Sequence, residues 1–161
     1  MIIDFHTHIF PDKIAEKTIA KLASVANIAA STDGTINGLV ESMNRANVDI
    51  SVIQPVVTKP EQFETINQFA QSINEKYKGR LISFGGIHPD CEDYKQKLNQ
   101  IKESGFLGIK IHPDYQKVMI DDVRYMNIIE YADELDLIIL THSGIDMGLP
   151  DPVHCPPDKV R

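Results

Sequence analysis

Two histidines separated by one residue lie near the start of the chain, in Ile2-Ile3-Asp4-Phe5-His6-Thr7-His8-Ile9-Phe10. The apolar opening and the aromatic residue between polar ones predict a short buried strand. Strict alternation along it would place Asp4, His6 and His8 on one face and Ile3, Phe5 and Thr7 on the other. Two imidazoles so spaced at a strand end can reach one metal ion, with Asp4 beneath them to orient a ring by hydrogen bonding. The plainer alternative is a polar strand end with two exposed histidines, since His-x-His alone is a weak motif. His142, in Leu-Thr-His-Ser-Gly, is a candidate third ligand; its alternative is a strand-end histidine bonded to the backbone. Lys110 and His112 share a face by the same spacing, and read equally as ligands or as a clamp for an anion or carboxylate. His88, followed by Pro89, reads as a site residue or a turn residue, and His154 as a loop residue near a substrate. Cys91 and Cys155 have no base beside them in sequence, so nucleophilic catalysis by cysteine is not expected.

Histidine ligands suit Zn²⁺, with Mn²⁺, Fe²⁺ or Co²⁺ able to take the same site. Such an ion lowers the pKa of a bound water toward about 7 and polarises a carbonyl or carboxylate.

The elements that must position these groups alternate between strand and helix. Predicted strands run through Ile2–Phe10, Val48–Pro55, Leu81–Pro89, Phe106–His112 and Leu137–His142. Between them lie a weakly striped helix after Pro11-Asp12, a loop over Asn27–Gly34 and a helix capped by Thr35. Further helices follow over Glu61–Tyr77, about Asp93–Glu103 and about Asp122–Leu135. This order predicts parallel strands with right-handed crossovers. All six histidines fall at or just beyond strand C-termini, and none on a helix. In parallel α/β folds those ends gather at one rim, where active sites sit. The proline-rich stretch Leu149–Pro157 is predicted as a loop after the fifth strand, and Pro156–Arg161 as the first turn of a further helix.

Composition narrows the class of function. The 161 residues are 42% hydrophobic and 24% charged, ordinary for one soluble domain spanning 1–161. The net charge of −7, without any basic cluster, argues against a nucleic-acid partner. No segment has the roughly 20 apolar residues of a membrane span, and no basic leader precedes the first strand. The two cysteines lack a CxxC spacing, so a reducing cytoplasm is the simplest compartment.

Asp4-Phe5-His6-Thr7-His8, Gly108-Ile109-Lys110-Ile111-His112-Pro113 and Thr141-His142-Ser143-Gly144 together resemble the amidohydrolase superfamily. The branch is the one that includes aminocarboxymuconate-semialdehyde decarboxylase. The resemblance covers the whole chain and implies a (β/α)8 barrel with a divalent metal at its C-terminal rim. It implies metal binding by His6, His8 and His142. The Lys-x-His-Pro setting of Lys110 is similar to the mononuclear branch, where that lysine is no ligand, so a single ion is expected, zinc foremost. The family's catalytic aspartate and a further histidine follow later strands, beyond Arg161. A full barrel needs roughly 200 residues or more. The chain is therefore expected to be the first five β/α units of a TIM barrel, apparently truncated, with an open apolar edge. A missing C-terminal half or another chain would cover that edge, and a homo-oligomer is expected.

The function these readings predict is metal-dependent hydrolysis of a small amide, ester or lactone by a metal-bound hydroxide. Lys110 or His112 would steady negative charge on a small-molecule substrate. The alternatives are non-oxidative decarboxylation of a small carboxylic acid and a non-catalytic half-barrel. An arginine near the metal would favour decarboxylation, and Arg45 precedes the second strand instead of following it. That tilts the expectation toward hydrolysis. The 161 residues alone are not expected to catalyse efficiently.

Overall fold

A computed structural model describes residues 1–149 and 152–160. The chain runs β1 (Ile3–Thr7), α1 (Asp12–Ala26), α2 (Ile36–Ala46), β2 (Ile50–Ile53), α3 (Phe63–Lys76), β3 (Leu81–Ser83) and β4 (Gly85–Gly86). It continues through α4 (Tyr94–Glu103), β5 (Gly108–Ile111), α5 (Pro113–Gln116), α6 (Val123–Glu134) and β6 (Ile138–Thr141). Single 3₁₀ turns cover Pro60–Gln62 and Pro157–Lys159. The second of these stands where a helix start was expected, and Arg161 lies outside the described residues. So do Pro150 and Asp151 of the predicted loop.

All strand pairings are parallel, in the order β1-β2-β3 and β4-β5-β6. β3 and β4 are the two halves of the predicted third strand. The lower half pairs with β2, and Phe84 N–H still donates to Ile53 O at 2.9 Å. The upper half pairs with β5. One strand that serves first one neighbour and then the other has the stagger a closing barrel needs.

The helices cover one face of this wall. α3 buries Phe63, Asn67, Ala70 and Ile73, and α6 buries Tyr125, Ile128 and Ala132, both at helical spacing. They pack on Ile109 and Ile111 of β5 in one cluster, while Met43, Ile53, Ile73 and Leu81 form a second. α1 is the loose member, as its weak stripe predicts: it buries only Ala15 and leaves Ile14 and Val25 exposed.

The opposite face carries Ile50, Val52, Phe84, Gly108, Lys110, Ile138 and Leu140 by alternation and register. Gly108 is required there, because a Cβ would lie 2.3 Å from Ile138 O and 2.8 Å from the Phe84 ring. Ile3, Phe5 and Ile138 remain 45%, 46% and 51% exposed. The inner face is thus apolar and open at the two outer strands.

β1 does not alternate strictly. Asp4 lies opposite Ser51, but Thr7 lies opposite Ile53, so three steps on β1 match two on β2. Ser51 and Ile53 share a face, so Asp4 and Thr7 share it too, away from His6 and His8. The expected common face of Asp4, His6 and His8 is therefore corrected by a bulge. Phe5 meets Phe84 edge-on at 5.9 Å, on the inner side. Among the described residues no helix is long and apolar enough to cross a membrane.

Candidate metal centre

The C-terminal ends of β1, β5 and β6 bring their polar residues to one rim. After the bulge, His6 and His8 turn their rings together, with the two Nε2 atoms 3.1 Å apart. Two imidazole nitrogens on one tetrahedral ion would stand about 3.3 Å apart. Asp4 does not orient a ring; its carboxylate accepts the backbone N–H of His6 at 3.1 Å.

His112 and His142 stack face to face, with centroids 4.1 Å apart and planes within 5°. Asp146, from the loop after β6, places Oδ2 3.6 Å from His112 Nε2. Among the described residues, His112, His142 and Asp146 form the one trio whose ligand atoms all lie within 4.8 Å of one another. His142 does not stand that close to both His6 and His8, so the predicted ligands occur as two neighbouring groups. Burial, and then the nearness of Lys110 and His142, hold the His6 ring below its ordinary value, so the groups share one electrostatic site.

Local structure explains why these rings are held. Pro113 ends the strand and opens the one-turn α5, in which His112 Nδ1 accepts the Tyr115 N–H at 3.4 Å. Gln116 closes the turn, and its side chain is fully used. Nε2 donates to Val57 O and Ile87 O at 2.7 Å each, and Oε1 accepts from His112 N–H at 2.9 Å and Tyr125 O–H at 2.5 Å. One buried amide thus ties the ends of β2, β4 and β5 to α6. Asp114, also on α5, accepts from His154 N–H at 2.9 Å.

The imidazoles are ready to act as ligands. Burial, then the charges of His142 and Lys110, pushes His112 down to about 3. The protein around His8, then the charges of His6 and Lys110, pushes it down to about 4. Neutral rings at pH 7 present lone pairs to a cation. Lys110 is 1% exposed, and burial pushes it down to about 8. No carboxylate pairs with it among the described residues.

His88 stands apart. Its Nδ1 accepts the Asp90 N–H at 3.1 Å, and its charged neighbours are Asp90, Arg124 and Glu61, so the turn reading describes its geometry. His154 pairs with Asp114 at 3.0 Å. Asp114, Asp146, Tyr115 and Gln116 went unnoticed in the sequence. Their only signal was distance of two to four residues from a strand-end histidine. Beside Tyr115 and Asp146 opens a cleft of about 220 Å³, lined mainly by Leu22, Ala26, Ile28 and Ala29.

A family model described as amidohydrolase matches residues 3–160. The chain belongs to the amidohydrolase family. This amidohydrolase-family chain has the fold of a 5-carboxyvanillate decarboxylase from Novosphingobium aromaticivorans, solved with manganese and 3-methoxy-4-hydroxy-5-nitrobenzoic acid. That likeness has a TM-score of 0.67 at 16% identity, over 89% of this chain and 51% of the other. An amidohydrolase II from structural genomics gives 0.66 at 16%, over 95% and 54%. The apo IDCase of Metarhizium anisopliae gives 0.65 at 18%, over 88% and 50%. None of the curated proteins compared matches. The chain spans about half the length of these solved TIM-barrel structures, and its fold is that of their first β/α units.

The donor set fits a divalent ion. His142 Nε2 and Asp114 Oδ2 are buried without hydrogen-bond partners, and the His6–His8 gap suits shared ligation. Imidazole with carboxylate is a combination that Zn²⁺ and Mn²⁺ both accept.

Proposed function

We propose that this chain carries the metal-binding side of an enzyme that removes CO₂ from a small carboxylic acid without oxidation. Lys110 carries the proposal. A buried ammonium with no carboxylate partner among the described residues is costly unless an anion arrives to pair with it. A substrate carboxylate is that anion. Lys110 thereby fills the role that the sequence left to a missing arginine, and removes the tilt toward hydrolysis. The likeness to 5-carboxyvanillate decarboxylases, one of them solved with a substituted benzoic acid, supports the same choice.

In this reading His6, His8 and His142 would hold the ion, which would draw the two neighbouring groups together, with His112 and Asp146 close to His142. A divalent ion held there would supply Lewis acidity. Lys110 binds the carboxylate, with His112 near it on the same strand end. The cleft beside Tyr115 and Asp146 takes the apolar remainder of the substrate, since about 150 Å³ is already enough for a benzene ring. The C–C bond to the carboxylate breaks, CO₂ leaves, its bonding electron pair stays on the substrate carbon, and that carbon takes up a proton from solvent water.

The first test is metal content per chain, with His6→Ala as control, followed by benzoate titration of the metal-loaded protein by NMR. Benzoate binding lost in Lys110→Met supports the proposal. Equal binding in both proteins would remove its basis. Release of amine or alcohol from amide or ester substrates, with no CO₂ from aromatic acids, would return the site to hydrolysis.

A further inference from the structure

The Asp114 carboxylate is held at one oxygen and idle at the other. Oδ1 accepts the His154 backbone N–H at 2.9 Å and faces His154 Nδ1 at 3.0 Å. Oδ2 is buried and has no hydrogen-bond partner. Across from it, 3.9 Å away, His142 Nε2 is likewise buried and unpartnered. That gap is too long for a hydrogen bond. Buried polar atoms are nearly always satisfied, so two orphans facing each other mark a place for a third group. Bonds of about 2.0–2.2 Å from zinc to nitrogen and oxygen together reach about 4.2 Å, so one ion can touch both atoms.

We infer that Asp114 is a ligand, through Oδ2, of the same metal ion that His142 holds. The inference rests on the metal-dependent reading above and adds to it a carboxylate from this chain's own α5. His154 becomes a positioning residue. Its N–H and ring keep Oδ1 occupied, which leaves Oδ2 aimed at His142 and fixes the carboxylate before metal arrives. Pro113 matters as well, because the single turn it starts carries Asp114 off the strand line, with Oδ2 facing His142 Nε2. Without an ion, the competing arrangement is a direct Asp114–His142 hydrogen bond after a small shift of either side chain.

Zinc affinity, from competition with a chromophoric chelator, and the visible spectrum of the Co²⁺-loaded chain separate these. Asp114→Asn keeps the size of the side chain and an oxygen for His154 N–H while removing the charge. It should weaken zinc by about 100-fold or more and alter the Co²⁺ bands, whereas His154→Ala should weaken zinc by about 10-fold. Asp114→Glu, which keeps the charge, should recover part of the affinity, and circular dichroism should show all three folded. Zinc affinity in Asp114→Asn within about threefold of the parent, with unchanged Co²⁺ bands, would overturn the assignment. If His142→Ala loses zinc in that case, only the role of Asp114 fails. If the parent chain itself binds no zinc, the metal-dependent reading fails with it.

Discussion

Lys110 is the residue on which the pH behaviour of the site turns. Its folded pKa of about 8 lies below the ordinary lysine value of 10.5, so the unfolded chain holds this proton more tightly. Stability attributable to Lys110 therefore rises as pH increases from about 8 toward 10.5. Chemical denaturation at pH 8 and pH 9.5 should show that gain in the parent and lack it in Lys110→Met. Carboxylate affinity should move the other way, weakening as pH rises through about 8, because only the ammonium binds. His112, held down to about 3, gives a second signature. The unfolded ring takes a proton below 6.5 and the folded ring does not. Its contribution to stability is thus present above pH 6.5 and lost as pH falls toward 3. His112→Asn should flatten the acid limb of the stability curve, and an unchanged limb would contradict the buried neutral ring.

At the level of elements, α5 is the shortest α-helix and carries the largest structural duty. Gln116 within it satisfies two carbonyls, one N–H and one hydroxyl drawn from four parts of the fold. Gln116→Ala should cost about 3–5 kcal/mol, since several buried groups lose partners at about 1–3 kcal/mol each. Gln116→Glu is informative because it keeps the shape but cannot donate to Val57 and Ile87. It should destabilise nearly as much, as read from urea midpoints. Behind the wall, Leu98 is fully buried between α4 and α6, and Leu98→Ala should cost about 2–5 kcal/mol. In contrast, Ile14→Ala on the loose α1 should change the urea midpoint little.

For the whole molecule, the dominant feature is a wall with one finished face. Helices cover the outer side, while Ile3, Phe5 and Ile138 stay exposed on the inner side. Exposed apolar residues on outer strands invite association with another chain. The isolated chain should therefore self-associate with rising concentration in sedimentation experiments. Ile138→Lys together with Phe5→Lys should shift it toward monomer without lowering the metal affinity of the rim. Association unaffected by both substitutions would place the contact elsewhere.

Much of this was determined by the sequence alone. Apolar and β-branched runs, four of them ending at a proline, located all five strand lines, because local pattern and burial agree along them. The same periodicity located α2, α3, α4 and α6, and strand-end placement of His6, His8, Lys110, His112 and His142 located the rim. Tertiary structure decided the rest. The bulge in β1 depends on register against β2, which no local pattern encodes, and it moved Asp4 off the histidine face. The break at Phe84 reflects one strand shared between two neighbours, a property of the closing wall and not of Leu81–Pro89. Asp114, Gln116 and Asp146 gained their partners only when segments distant in sequence met: His154 reaching Asp114, Val57 reaching Gln116 and Asp146 reaching His112. Types and spacings set which chemistry was available, whereas contacts between segments distant in sequence decided which side chains meet.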